Sequence, residues 1–206
     1  MKFGAIILAA GSSSRMGKAK MLLPFGNSNI LKHIITEVEA IHPAACCLVT
    51  GFYHEQIKSL FQHSNLPIIY NKNWELGMSG SIQLGLKTML HQYPTLEGVL
   101  IMVSDQPFLS RLVLQKIVKE QHVSQKGIVA AQYKGIKGTP VLFHKKYFDD
   151  IQKLVGDKGA GLILQQHPED LAIIAFPYGE FDIDTPEDYE LLCKKMKEED
   201  AERQIQ

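Results

Sequence analysis

Residues Phe3 to Ala9 form an unbroken apolar run that stops at the glycine- and serine-rich stretch beginning with Gly11. Such a run, without polar alternation, is the pattern of a strand buried on both faces, which occurs where helices cover both sides of a parallel sheet. The same kind of burst recurs between stretches of helical apolar spacing. Strands are predicted at Ala45–Thr50, Pro67–Tyr70, Gly98–Ser104, Gly127–Ala131, Thr139–Phe143 and Leu171–Phe176. Helices are predicted at Ile30–Ile41, His54–Gln62, Ser81–His91, Leu112–His122, Lys145–Leu154 and Ala160–His167. This β-α repetition predicts an α/β fold, a three-layer sandwich with a mainly parallel central sheet. Gly11 to Asn29 reads as one long loop, with Ser28 as the cap of the helix that follows. Thr185-Pro186-Glu187-Asp188 marks a last helix start, with a capping hydroxyl, a proline in the first helical position and acids in the first turn.

The length of 206 residues suits one compact domain over residues 1–197, followed by a charged tail, 198–206, with fraying expected after Lys194. Lys+Arg and Asp+Glu both number 22. That balance removes the electrostatic case for a nucleic-acid or membrane-surface protein. Cys46, Cys47 and Cys193 have no metal-ligand spacing. Cys46 and Cys47 lie in an apolar run and read as buried strand residues, which fits a reducing, cytoplasmic setting. The apolar run Ala5 to Ala10 is too short for a signal peptide or a membrane span. His42, His54, His63, His122, His144 and His167 are scattered without ligand spacing and are assigned surface roles.

In open α/β sheets ligands sit beyond the carboxyl ends of the strands, where the Gly11 loop lies. Its small residues let backbone N–H groups approach an anion, and Arg15, Lys18 and Lys20 add cations within six residues. A polyphosphate suits that concentration of donors; a solvated loop with incidental cations is the other reading of the composition. The loop is not a Walker loop, because five residues separate Gly11 from Gly17 and Ala19 follows Lys18. It also lacks the dinucleotide fingerprint.

Polyphosphate chemistry commonly uses Mg²⁺ held by one or two carboxylates. The apolar run Val99–Val103 ends in Ser104-Asp105-Gln106-Pro107, which puts the Asp105 carboxylate at the carboxyl edge of the sheet, where Pro107 stops the ladder. The alternative, a cap for the helix near Leu112, suits Ser110 better. In Phe181-Asp182-Ile183-Asp184, strand alternation would place Asp182 and Asp184 on one face. The alternative is an acidic stretch that only caps a helix; Asp188 is assigned to that helix N-terminus. Asn73 to Ser81 combines turn residues with a helix start at Ser79 or Ser81, and a helix N-terminus is an anion site. Trp74 and Met78 read as packing residues.

Leu8-Ala9-Ala10-Gly11, Arg15-Met16-Gly17, Lys20 and Leu22-Leu23-Pro24 together resemble, without a gap, the signature of nucleotidyltransferases with the glycosyltransferase-A-like, nucleotide-diphospho-sugar-transferase fold. Within them the chain is most similar to the molybdenum cofactor cytidylyltransferases. Asn73, Trp74, Gly77, Met78, Ser81 and Ile82 match a second family segment. Gly138-Thr139-Pro140 with Phe143, and Gly156-Asp157-Lys158-Gly159-Ala160, match two more, both on the acceptor side in relatives.

The resemblance implies that Leu8, Ala9, Ala10 and Gly11 lie against the nucleotide, with Ser79 and Ser81 helping to bind it. Arg15 would hold the outer phosphates and Lys20 would neutralise the α-phosphate. Asp105 and Asp184 would hold Mg²⁺, with Asp182 a second ligand or a support. Ala10 follows the cytidylyltransferase form rather than the glycine of the guanylyltransferases, which favours CTP. The implied reaction is transfer of CMP from CTP to the phosphate of molybdopterin, with pyrophosphate released. A transient contact with a molybdoenzyme or its chaperone would follow. Two alternatives remain. One is an enzyme of the same fold acting on a sugar phosphate or other phosphorylated small molecule; the other is a non-catalytic carrier of the molybdenum cofactor. Retention of Arg15, Lys20, Asp105 and Asp184 together argues against the carrier.

Overall fold

A computed structural model of the chain describes residues 1–14, 16–157 and 159–204, with side chains as far as residue 195. In chain order its elements are β1 (Phe3–Ala9), β2 (Pro24–Phe25), β3 (Ser28–Asn29), α1 (Ile30–Glu39), β4 (Ala45–Thr50), α2 (His54–Leu60) and β5 (Ile68–Tyr70). Then follow α3 (Met78–Gln92), β6 (Gly98–Val103), α4 (Arg111–Ser124), β7 (Ile128–Tyr133) and β8 (Ile136–His144). The last are α5 (Phe148–Gln152), α6 (Gly161–Gln166), β9 (Leu171–Ala175) and α7 (Pro186–Gln204).

The central sheet has the order β5-β4-β1-β6-β8-β7-β9. Its strands run parallel except β8, which is antiparallel to both β6 and β7. The expected three-layer α/β sandwich is therefore what forms. β1 occupies the centre because both of its faces are apolar. Ala5, Ile7 and Ala9 pack toward Ile34, Ile57, Leu114 and Leu192 of α1, α2, α4 and α7. Ile6 and Leu8 pack the other way, toward Ile82, Ile151 and Ile163 of α3, α5 and α6. Ile6 and Ile7 are each wholly buried, which contributes roughly 1.5–3 kcal/mol apiece.

Several local expectations are corrected. The cap of α1 is Asn29, whose Oδ1 accepts the Lys32 N–H at 2.8 Å, because the helix begins at Ile30, directly after the small β2–β3 hairpin that holds Ser28 and Asn29. The loop from Gly11 to Asn29 is also broken by a 3-10 turn at Lys20–Leu22. The segment 145–154 divides into a 3-10 turn, Lys145–Tyr147, and the short α5. No strand forms at 181–184; Ile183 is buried in the core without ladder pairing. Helix α7 continues to Gln204, past Lys194, since this lysine- and glutamate-rich stretch contains neither glycine nor proline.

Two caps form as expected. The Val113 N–H donates to Ser110 Oγ, and Thr185 with Asp188 forms a reciprocal box at the start of α7. Pro140 sits inside β8 where the β7–β8 register shifts, because proline cannot donate to the ladder. Cys47 is buried and Cys46 half-buried, and burial pushes both thiols up to about 12. His54 is not a surface residue. Its ring stacks on Tyr70 at 4.4 Å and its Nδ1 lies 2.7 Å from Thr50 Oγ. Among the described residues, no helix is long and apolar enough to cross a membrane.

Candidate active site

Three strand ends meet at the carboxyl edge of the sheet: Ala10 and Gly11 after β1, Gly51 after β4, Ser104 and Asp105 after β6. Bonds beyond the ladder fix these ends together. The Ser104 N–H donates to the Leu8 carbonyl at 3.0 Å, and the Phe52 N–H to the Ala10 carbonyl at 3.2 Å. Gly51 is required there, since a Cβ would lie 2.3 Å from the Ala10 carbonyl oxygen and 2.6 Å from Trp74 Cβ. Over this edge opens a cleft of about 800 Å³, within the size range of small-molecule sites. Its walls come from residues 8–14, Lys20 and Met21, 74–78, Ser81, 103–105, Gly156 and Asp157, and Asp184.

Leu8, Ala9, Ala10, Gly11, Lys20, Ser81, Asp105 and Asp184 thus share one cleft, although they are scattered along the chain. Arg15 lies outside the described residues. Helix α3 begins at Met78, and Ser79 in its first turn is nearly fully buried, while Met78 and Ser81 on either side of it line the cleft. The Ser79 N–H is taken by the Gly156 carbonyl at 3.2 Å, while the Met78 N–H donates to Asp157 Oδ1 at 3.3 Å. The first two N–H groups of α3 are therefore taken by the chain itself. Gly77 permits this close approach, with φ at +102° and Gly156 backbone atoms 2.7 Å from where a Cβ would be.

At the cleft floor the Lys20 ammonium lies 2.8 Å from Asp105 Oδ2 and 2.8 Å from Asp184 Oδ1. Burial lowers the proton affinity of Lys20, but the two carboxylates outweigh it and hold the pKa above its ordinary value. Asp105 Oδ1 is buried and has no hydrogen-bond partner among the described residues. Asp184 is placed by its own N–H, which donates to Asp188 Oδ2 at 3.1 Å. Asp182 is off the cleft wall; burial, with Asp105 and Asp184 near it, pushes its carboxyl up to about 6. The geometry therefore separates the two acids that alternation alone had left equivalent.

These groups fit the Mg²⁺ expectation. Mg²⁺ is commonly held by one or two carboxylates together with substrate phosphates and water. Asp105 and Asp184 converge on one cationic position, and Asp105 keeps an unused buried oxygen. Among the described residues, no group of three or more His, Cys, Asp or Glu converges to form a cage made by the protein alone.

Two supporting residues escaped the sequence reading. Gln106 is buried, donates from Nε2 to the Gly179 carbonyl at 2.8 Å and accepts the Thr139 hydroxyl at 3.2 Å. It thereby ties the Asp105 loop to the segment that carries Asp184. Asn71 is also buried; its Nδ2 donates to Ser81 Oγ at 2.9 Å and its Oδ1 accepts the Asn73 N–H. An amide at the end of an apolar run was the available signal in both cases.

The MobA-like NTP transferase domain matches residues 5–171 of this chain. The bifunctional protein GlmU of Francisella tularensis subsp. holarctica (strain OSU18) is 28% identical over 171 residues, which is 82% of this chain and 36% of that protein. The chain thus spans about a third of the length of the curated relatives it matches. The crystal structure of Rv0371c from Mycobacterium tuberculosis H37Rv superposes with a TM-score of 0.81 at 22% identity, covering 94% of this chain and 99% of that one. Molybdopterin-guanine dinucleotide biosynthesis protein A from Archaeoglobus fulgidus superposes with a TM-score of 0.65 at 15% identity, covering 93% and 99%. With the cleft at the carboxyl edge of a sheet of this fold, the chain belongs to the MobA-like NTP transferase family.

Proposed function

We propose that the chain transfers CMP from CTP to the terminal phosphate of molybdopterin and releases pyrophosphate, in the cytoplasm. The observation that carries this reading is the convergence of Lys20, Asp105 and Asp184 on one point beneath the Ala9–Gly11 loop. A carrier that only bound the cofactor would gain nothing from holding all three there.

In this reading Leu8 to Gly11 and Ser81 receive the nucleotide, with Arg15 on the outer phosphates. An oxygen of the acceptor phosphate attacks the α-phosphorus of CTP. The bond from that phosphorus to the bridging oxygen breaks, and its electron pair leaves with pyrophosphate. The acceptor oxygen is already anionic, so no protein base has to remove a proton. Lys20 opposes the negative charge that develops around the phosphorus; fixed charges in a partly buried cleft do this with little reorganisation. Mg²⁺ held by Asp105 and Asp184 would supply further neutralisation of the polyphosphate. By resemblance, Gly156, Asp157 and the residues around Thr139 would serve the acceptor, and Gly156 and Asp157 line the cleft. Ala10 supports cytosine over guanine, through the resemblance alone.

The test is incubation of the protein with Mg²⁺, molybdopterin and each ribonucleoside triphosphate in turn, with pyrophosphate as the readout. Release with CTP is expected, and Asp105→Ala should abolish it without unfolding the protein. Release with GTP alone would overturn the nucleotide assignment. Release only when a sugar phosphate replaces molybdopterin would overturn the acceptor. Wild-type turnover in Asp105→Ala would remove Asp105 from the reaction.

A further inference from the structure

The position between Asp105 and Asp184 is already filled by a cation, and that cation belongs to the protein. Lys20 Nζ is 2.8 Å from an oxygen of each carboxylate, and its side chain is 15% exposed. A Mg²⁺ or Mn²⁺ ion would bond such oxygens at close to 2.1 Å. An ion using the same two oxygens would therefore crowd the ammonium, or leave like charges a few ångströms apart. The lysine and a metal cannot both hold these same two oxygens in this arrangement.

We propose that Lys20 is a displaceable counter-ion. In the nucleotide-free protein it closes the Asp105–Asp184 pair to divalent cations, and the incoming triphosphate draws the lysine away and opens the pair. The proposal rests on the reading of nucleotidyl transfer in this cleft and adds an order of events to it. Three features of the structure support it.

The acids are anchored independently of the lysine. Asp184 is fixed through Asp188, and the Asp105 loop through Gln106, so the pair keeps its spacing when the lysine departs. The lysine is the mobile member, a point charge on a flexible stem. Its turn is also coupled to the nucleotide loop, since the Lys20 N–H donates to Ser13 Oγ at 3.4 Å and Ser13 lines the cleft. Finally, among the described residues Asp105 Oδ1 remains buried and unpartnered while Oδ2 is occupied by the lysine. The lysine offsets only one of the pair's two negative charges, which leaves a reason for a further cation to bind.

Competition of this kind has a measurable sign. Removing the ammonium must raise the affinity of the nucleotide-free protein for a divalent ion, and coupling energies between linked ligands commonly correspond to about 5–150-fold. The experiment titrates Mn²⁺ into nucleotide-free protein and follows free Mn²⁺ by electron paramagnetic resonance. Lys20→Gln should bind Mn²⁺ about tenfold more tightly than wild type. Lys20→Arg, which retains a cation, should stay near wild type, and adding Asp105→Asn to Lys20→Gln should remove the gain. Thermal melting gives a second readout: Mn²⁺ should raise the Tm of Lys20→Gln more than that of wild type. Lys20→Met, which keeps the apolar stem, serves if the glutamine variant does not fold. Equal Mn²⁺ affinity in wild type and both neutral variants overturns the counter-ion. Because no nucleotide or acceptor is present, that failure is separate from failure of the proposed reaction, which pyrophosphate release reads.

Discussion

Replacing Gln106 by methionine tests how the candidate site is held together. The side chains are similar in length, so the change removes hydrogen bonds more than volume. Gln106 is 1% exposed, and the Gly179 carbonyl and the Thr139 hydroxyl depend on it, with the Tyr133 phenol also hydrogen-bonded to it. A buried hydrogen bond contributes about 1 kcal/mol net, and an acceptor left unsatisfied costs about 1–3 kcal/mol. The half-buried Thr139 hydroxyl can turn elsewhere, whereas the Gly179 carbonyl loses the donor that the amide supplied. The expected loss is about 2–3 kcal/mol, which for a domain of this size lowers the Tm by roughly 5–10 °C. The functional effect should be larger than stability alone explains, because Gly179 leads into the segment that brings Asp184 to Lys20. A fall of about tenfold in kcat/KM corresponds to about 1.4 kcal/mol of lost transition-state binding. Circular-dichroism melting measures the first effect, and pyrophosphate release at temperatures where the variant is folded measures the second. A Tm within about 1 °C of wild type would refute the assignment of Gln106 as a structural tie.

Three further outcomes are expected. Gly51→Ala would force a methyl against the Ala10 carbonyl and Trp74; it should cost about 1–3 kcal/mol by overpacking and raise KM for the nucleotide more than it lowers kcat, as initial-rate kinetics would show. Asp170→Asn should destabilise the protein at neutral pH by about 1–2 kcal/mol in urea titrations. Burial pushes the Asp170 carboxyl up, but the bonds from Lys146, Tyr147 and the Gly127 N–H outweigh it and bring the pKa down to about 2 from 3.8. Because the folded pKa is depressed, this stability is present in full above the ordinary value and is lost as pH falls through about 2, so the two proteins should converge in acid. Cys46 and Cys47, with thiols pushed up to about 12, should resist thiol reagents at neutral pH until the fold opens; fast labelling of the native protein would contradict their burial.

What the sequence makes legible is what local physics decides. β1 is readable because seven consecutive residues are apolar and must be covered on both faces, and that alone forces helices onto each side of the sheet. The caps at Ser110 and Thr185 are readable because a hydroxyl and its N–H partner lie three residues apart. The cap of α1 lies one residue beyond the expected Ser28, since the β2–β3 hairpin extends through Asn29, and a hairpin with only two residues in each strand leaves no apolar pattern. The start of α3 was misplaced because Gly77 supplies a backbone turn where a capping side chain was sought.

The site follows the same division. The types of its residues are visible locally: an acid after a strand, an acid before a helix, a lysine after a phosphate-type loop. Their distances are not, because Lys20 and Asp184 are 164 positions apart and meet only after the sheet has ordered. A helix N-terminus in a sequence looks open, and only the tertiary fold shows which groups approach it. Here the chain brings Asp157 to the first N–H of α3, as it brings Lys20 between Asp105 and Asp184. In both places an internal group satisfies charge that the substrates of a nucleotidyltransferase would otherwise meet. Part of the binding energy must therefore go into replacing internal partners, and removing such a partner should strengthen binding of the ion it imitates. An ordinary structural salt bridge gives the opposite sign, since its loss leaves a buried charge without compensation.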